Sequence, residues 1–302
     1  MRAFFSCATS QLQGAEGSLR QTELADGTRR LTASTFTLHD TRAPIPSCER
    51  LEASSLALRQ IVDRSSQRVL GALEPLIRTK GQVLASLHGG WYASLGELAL
   101  HGEQLEHFHA YTRREDNTSA GALPPQPPSA EQSLPMHTDG GLLLAMLPAL
   151  HMREHTSHVD ILPPPYGENG TSGFRVQLAD GSMAAVDHAL AGSSLLYLVG
   201  DGWRQWLTPQ LSRAMRAAPH SMSVLPSNHE REGATEARLW YGRMYLPPED
   251  ALLPGENRSF AELRASEERA AGVTRWANNV SNENVRPSFG LEAVSRRHLV
   301  DK

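Results

Sequence analysis

The stretch "PMHTDGGLLLAML", residues 135–147, sets an imidazole and a carboxylate two positions apart, then two glycines, then unbroken apolar chain. Alternate residues of a strand project from the same face. His137 and Asp139 at a strand end can therefore aim at one point, while Leu142–Leu147 reads as a buried strand. Asp139-Gly140-Gly141 reads equally as the polar turn in front of that strand. The two readings part on what the rest of the chain supplies, because a metal site needs a third ligand carried in by a distant strand.

The pair alone is weak evidence. With 13 histidines and 33 acidic residues, chance pairs are expected, and the chain holds three: His101/Glu103, His137/Asp139 and His158/Asp160. His101/Glu103 falls in a helical pattern, where i and i+2 do not face each other. His158/Asp160 runs into "ILPPPYG", whose prolines bar a central strand. His137/Asp139 ranks first, preceded by a long loop and followed directly by a strand. His220, opening the alternating "HSMSVLP" (220–226), is the best distal ligand, with His229 in "SNHEREG" as its rival. Two histidines and one carboxylate on one face of a metal, with the other positions open, make the facial triad of non-haem Fe(II) oxygenases. A decoy lies in "HMREHTSH", where His151, His155 and His158 at i, i+4 and i+7 would share a helix face. It lacks a carboxylate base of the H-E-x-x-H kind and reads as a solvated insertion.

Around the pair the chain alternates between strand and turn signals. "RRLTASTFTLHD" (29–40) and "LEHFHAYT" (105–112) read as strands. "FRVQLADGSMAAVDH" (174–188) is a hairpin turning at Asp180-Gly181. "SSLLYLVGD" (193–201), "HSMSVLP" and "RLWYGRMYLPP" (238–248) are further strands. Residues 1–30 read as polar and irregular. Helical spacing covers 46–77, through Leu51, Leu56, Ile61, Val62 and Leu70, with Ser47 as its cap, and a second helical stretch covers 81–100. Two Pro/Gly-rich stretches, 114–135 and 148–172, read as loops. The tail from about 250 is polar and helical, with Ser259 and Glu262 at capping-box spacing. Helices first, then many short strands, then a polar tail predict a mainly β (α+β) fold: an antiparallel barrel or double-sheet jelly roll fronted by helices. The expected division is an N-terminal strand-and-helix region over 1–104, a β core over 105–250 and the tail over 251–302.

Bulk composition narrows the function classes. The 302 residues suffice for a sizeable core, and 40% hydrophobic with 21% charged residues is globular composition. A net charge of −4 argues against a general nucleic-acid grip. No run approaches a membrane span. Only Cys7 and Cys48 occur, so no disulfide framework is implied and a reducing compartment, the cytoplasm, is expected. Sequons at Asn117, Asn169, Asn257 and Asn279 would matter only in a secreted chain. The opening "MRAFFSCATSQLQG" is too short for a signal-peptide core and leaves an organellar transit segment as the alternative address.

From about residue 105 to 248 the order of motifs resembles the isopenicillin-N-synthase-like branch of the 2-oxoglutarate/Fe(II) dioxygenases. "HTDGGLLLAML" is similar to that family's H-[ST]-D-x-G-L-L-T-L-L segment. "GFRVQLADGSMAAVD" resembles its hairpin, "AGSSLLYLVGDGWRQWL" its glycine-aspartate turn, "APHSMSV" the strand of the distal histidine, and "RLWYGRMYLPP" its closing R-x-S-x-x-F-F-x-x-P strand, with Arg238 and Pro247 nine apart as in the motif. The resemblance implies a double-stranded β-helix and His137, Asp139 and His220 as the Fe(II) ligands. It implies Arg238 on the far carboxylate of 2-oxoglutarate, with Tyr111 helping to hold that co-substrate. An arginine suits this because its planar fork grips a carboxylate with two hydrogen bonds. Dioxygen and a small organic substrate are the other implied partners, and ascorbate an accessory reductant. The implied reaction hydroxylates, desaturates or demethylates the substrate as 2-oxoglutarate is oxidatively decarboxylated to succinate. Asp139 argues against halogenation, because halogenating relatives lack the carboxylate.

Two departures stand out. Trp240 replaces the serine of R-x-S, and the insertions at 148–172 and 227–237 lengthen the family pattern. Arg243 is a second candidate cation, five residues on and so on the opposite strand face. Trp203, Trp206 and Trp240, with Tyr197 and Phe108, are candidates for a substrate pocket, against a plain core role. The lost serine and the insertions also feed an alternative: a catalytically inactive jelly-roll binding or scaffold protein that keeps the metal site. A zinc hydrolase on the same ligands is the third reading, and it lacks an evident general base.

Overall fold

Alternating side chains make strands only where a partner strand waits, and in this chain the partners are mostly far away in sequence. The computed structural model describes residues 1–12, 20–24, 26–36, 49–113, 132–155, 158–163, 173–186, 194–225, 235–254 and 257–270. In chain order the elements are α1 (Arg2–Leu12), β1 (Arg20–Glu23), β2 (Arg29–Phe36), α2 (Glu49–Leu73), β3 (Leu84–Ala85), β4 (Trp91–Tyr92) and α3 (Leu95–His101). Then follow β5 (Gln104–Thr112), β6 (Leu134–His137), β7 (Leu143–Met146), β8 (Leu150–Glu154), β9 (Val159–Leu162), β10 (Gly173–Gln177), β11 (Met183–Ala185) and β12 (Leu196–Val199). The chain closes with β13 (His220–Ser223), β14 (Thr235–Tyr245), β15 (Leu252–Leu253), β16 (Arg258–Ser259) and α4 (Phe260–Ala270).

Two antiparallel sheets carry the fold. The larger runs β1-β2-β5-β14-β7-β12, with β8 also on β14 and β9 on β8; the smaller runs β11-β10-β13-β6. The N-terminal strands are therefore structural members of the large sheet: β2 pairs with β5 from Arg29↔Thr112 to Phe36↔Leu105. β14 is the spine. One edge pairs with β5 along its length, while the other pairs first with β8 and then with β7.

The two faces of the large sheet do different work. One side carries Phe108, Tyr241, Glu106 and Arg243, and helices α1 and α2 cover it. Phe4 and Phe5 are fully buried, and Phe4 packs on Phe108 at 5.6 Å between ring centres. Helix α2 buries Leu51, Val62 and Leu70 but leaves Leu56 and Ile61 exposed, so its apolar stripe is narrower than the spacing predicts. Charge fills the remainder of this interface. Arg59 donates two hydrogen bonds to Glu106 Oε2 at 2.6 and 2.8 Å. Arg243 Nη2 and the Tyr241 hydroxyl reach Glu106 Oε1 at 3.2 and 3.0 Å, and Arg243 also pairs with Asp63. Burial pushes the Glu106 carboxyl up, but Arg59 and Arg243 outweigh it, and the group ends below its ordinary range.

Several local expectations are corrected. The opening residues form helix α1 and strand β1, because the Phe4–Phe5 pair finds a core to enter. Within 81–100 only Leu95–His101 is helical, capped by the Ser94 side chain accepting from the Glu97 amide; β3 and β4 form a small hairpin before it. The stretch at 148–172 opens with the β8–β9 hairpin, which docks on β14 through Arg238↔His151 and its neighbours. His151, His155 and His158 thus lie in a hairpin and share no helix face. The capping box holds: the Glu262 amide donates to Ser259 Oγ and the Ser259 amide to Glu262 Oε2. Ser47, His229, the sequons at Asn117, Asn169 and Asn279, most of the loops 114–135, 163–172 and 227–237, and the tail beyond 270 lie outside the described residues.

Candidate metal centre and cleft

β6 ends on His137 and β13 begins on His220, and the two are direct partners in the small sheet. Their rings stand edge to face, 4.3 Å between centres. Two residues past His137 the chain leaves the strand, and Asp139 turns in so that its Oδ1 lies 3.7 Å from His220 Nε2. Ligand atoms of His137, Asp139 and His220 all lie within 4.8 Å of one another. The rival pair His101/Glu103 does not converge in this way: Glu103 pairs with Arg264 instead.

The loop that carries Asp139 is held by the turn at 200–202. The Asp201 amide donates to the Asp139 carbonyl at 2.7 Å, Gly202 to Gly141 at 3.0 Å and Gly200 to Leu142 at 3.1 Å. The backbones are so close that a side chain at Gly200 would place its Cβ 2.1 Å from the Gly141 oxygen. The glycines of "HTDGG" and "VGDG" are thus two halves of one contact. Asp201 holds the turn with Arg204, through hydrogen bonds at 2.8 and 2.8 Å.

The electrostatics suit a divalent cation. Each histidine places Nδ1 against a carbonyl two residues earlier, His137 on Pro135 at 2.6 Å and His220 on Ala218 at 2.9 Å. A carbonyl only accepts, so Nδ1 carries the proton and Nε2 is the nitrogen left for a metal. Burial lowers the His220 pKa and so favours the neutral, ligating ring. Asp139 is 2% exposed, and neither carboxylate oxygen finds a hydrogen bond among the described residues. Burial pushes its pKa up to about 7, against the opposing pull of His137. An unsatisfied buried carboxyl is costly. A cation between Asp139 and the two imidazoles removes that cost, so the residues present fit the metal the motif implies.

From this corner a narrow cleft opens between the sheets. His137, His220 and Phe174 line it from the small sheet; Tyr111, Arg238 and Trp240 line it from the large one. Tyr111 and Arg238 are direct strand partners, with the guanidinium 5.9 Å from the ring centre. Arg238 is 2% exposed, and its Nη1 lies 3.1 Å from Met222 Sδ, a weak acceptor. Trp240 stacks on His109, 15° from parallel at 5.2 Å. Burial, and then His107, Arg30 and Arg238, hold His109 well below its ordinary pKa, so it faces Trp240 as a neutral ring.

The structure thus brings His137, Asp139, His220, Arg238, Tyr111 and Trp240 to one cleft. It does not bring Trp203 or Trp206 there. Both are buried in the turn after β12, and Trp206 packs on Phe260 at 5.0 Å. Tyr197 bonds Ser66 on the helix side, and Phe108 faces α1. Arg243 likewise serves the helix interface. Phe174 in the cleft, and His109 behind Trp240, went unread in the sequence. Phe174, 5.1 Å from the His220 ring, registers opposite Met222 on β13; His109 has the same strand parity as Tyr111, a signal available in "EHFHAYT".

Neither a protein-family model nor a curated protein matches the sequence. Solved structures do resemble it. A Shewanella oneidensis protein assigned as an oxygenase superposes with a TM-score of 0.52 at 13% identity, over 90% of this chain and 86% of its own. This chain shares its fold. The Arabidopsis thaliana dioxygenase for auxin oxidation 1, in its 2-oxoglutarate complex, gives 0.46 at 11% identity over 82% and 74%. A 2OG-Fe(II) oxygenase family protein from Caulobacter crescentus gives 0.45 at 12% identity over 86% and 78%.

Proposed function

We infer that the protein is a non-haem Fe(II)- and 2-oxoglutarate-dependent oxygenase on a double-stranded β-helix, related to the isopenicillin-N-synthase-like branch and acting on a small organic molecule. One observation carries the reading: His137 and His220, which converge with the buried Asp139, line the same cleft between two antiparallel sheets as a buried arginine, Arg238. A structural metal site has no use for a buried guanidinium across a cavity from it. An oxygenase does, because its dicarboxylate co-substrate must present one end to the metal and anchor the other.

His137, Asp139 and His220 would hold Fe(II), which with 2-oxoglutarate and dioxygen supplies the oxidising power for attack on an unactivated C–H bond. The chain supplies position and exclusion. The carbonyls of Pro135 and Ala218 orient the two imidazoles, and the 200–202 turn holds Asp139 in place. Arg238 would take the far carboxylate through its planar fork, with Tyr111 beside it. Trp240 fills the place of the motif's serine, so the anchor rests on the guanidinium and the stacked indole walls the cleft. Phe174 and Leu144 keep the floor apolar, which limits water around the oxidising centre.

The purified protein, mixed anaerobically with Fe(II) and 2-oxoglutarate, should show a weak visible charge-transfer band and should form succinate when air is admitted. His137→Ala should lose both, and Arg238→Ala should need far more 2-oxoglutarate to restore the band. A wild type that binds Fe(II) but shows no band and forms no succinate would instead support the binding-protein reading.

A further inference from the structure

The β8–β9 hairpin carries a second cluster of metal-binding side chains, well separated in role from the cleft. Glu154 pairs with Val159, and the His155 amide donates to the His158 carbonyl at 2.9 Å, so the strands close tightly just beyond β8. That closure brings His155 and His158 side by side, their rings 13° from parallel and 4.5 Å apart. Asp160 lies beneath them: its Oδ2 is 3.5 Å from His155 Nε2 and 3.4 Å from His158 Nε2. The ligand atoms of the three residues all fall within 4.8 Å of one another.

These spacings discriminate. Two N–H groups donating to one carboxylate oxygen would sit at about 2.7–3.2 Å. Donors bound tetrahedrally to one zinc ion, at about 2.0–2.1 Å each, are about 3.4 Å apart. The two imidazole–carboxylate separations match the second case. Two imidazoles and a carboxylate are borderline donors of the kind that suits zinc, nickel or copper, whereas calcium and magnesium take oxygen. Asp160 is about half exposed and His158 more so, so an ion can enter from solvent and keep water as a further ligand.

We propose that His155, His158 and Asp160 form a second, surface metal site that takes a zinc-class divalent ion. Its place in the fold gives it a consequence. The hairpin walls a second cavity, beside the cleft, through His151, Met152 and Leu162, and that cavity shares Tyr111 and Arg238 with the cleft itself. An ion at the hairpin tip ties β8 to β9 and so stiffens the wall behind Arg238.

The test is zinc stoichiometry on the full chain, stripped with chelator and titrated with Zn²⁺ by calorimetry. The wild type should take up two equivalents. His158→Asn and Asp160→Asn, both at exposed positions, should each take up one and keep the wild-type circular dichroism. His137→Ala should also lose one equivalent, and its retained one should disappear on adding His158→Asn. An uptake that is the same in the wild type, His158→Asn and Asp160→Asn overturns the proposal, whatever the cleft site takes up.

Discussion

Arg238 illustrates how much one side chain can be asked to do. It is buried on strand β14 against Tyr111, and the residue two further along, where the family motif has a hydroxyl, is Trp240. In the proposed reaction the guanidinium therefore holds the co-substrate without that hydroxyl's help. Hydrogen bonds to charged groups contribute about 1.5–3 kcal/mol each. Arg238→Lys keeps the charge but loses the fork, so the KM for 2-oxoglutarate should rise about 10- to 100-fold, with kcat changed much less. Steady-state succinate formation measures both; an unchanged KM would remove Arg238 from the site. Asp139 shows the complementary lesson. In sequence it passes for a turn residue; its burial with two unsatisfied oxygens separates it from one.

At the scale of elements, two contacts govern the site's frame. The first is the approach of the 139–141 loop to the 200–202 turn. Gly200→Ala forces the two backbones apart, and overpacking of this kind costs about 2 kcal/mol. Because the Asp139 carbonyl is in that contact, metal affinity should fall along with the melting temperature, and a variant that melts lower yet binds metal as tightly as the wild type would refute the coupling. The second is the docking of α2 through Glu106. Its folded pKa lies below the ordinary 4.5. Its contribution is therefore fully present above that value and is lost as pH falls through and below it. Chemical denaturation of the wild type should show stability dropping below about pH 4.5. Glu106→Gln should be less stable at neutral pH by about 3 kcal/mol, because it leaves Arg243 and Arg59 without their buried partner, and should show a shallower acid drop.

For the molecule as a whole, the strands that build the cleft were legible because β5, β10, β13 and β14 alternate and β7 is an unbroken apolar run behind a Gly-Gly turn. β5, β7, β10, β13 and β14 all fall where the pattern places them, and so do the residues that converge. What escaped has physical reasons. Helix α1 draws its order from Phe4 meeting Phe108, a partner far along the chain, and from Phe5 entering the same core. The β8–β9 hairpin was hidden by histidines whose spacing fits a helix as well as a strand pair. Trp203 and Trp206 were misplaced because inward-facing aromatics of a core and of a pocket look alike in sequence; only packing tells them apart.

The pairing of β14 with β5, and of β5 with β2, has a consequence for how the protein comes into being. Every wall of the cleft joins segments distant in sequence, and such non-local pairing makes folding slow. While the chain emerges from the ribosome, His137 and Asp139 appear well before His220 and Arg238, so an emerging chain has half a site with nothing to close it. In the proposed oxygenase, metal loading would therefore belong to the finished sheet. Refolding from denaturant should proceed at the same rate with and without Fe(II), with metal capture following as a separate, later event.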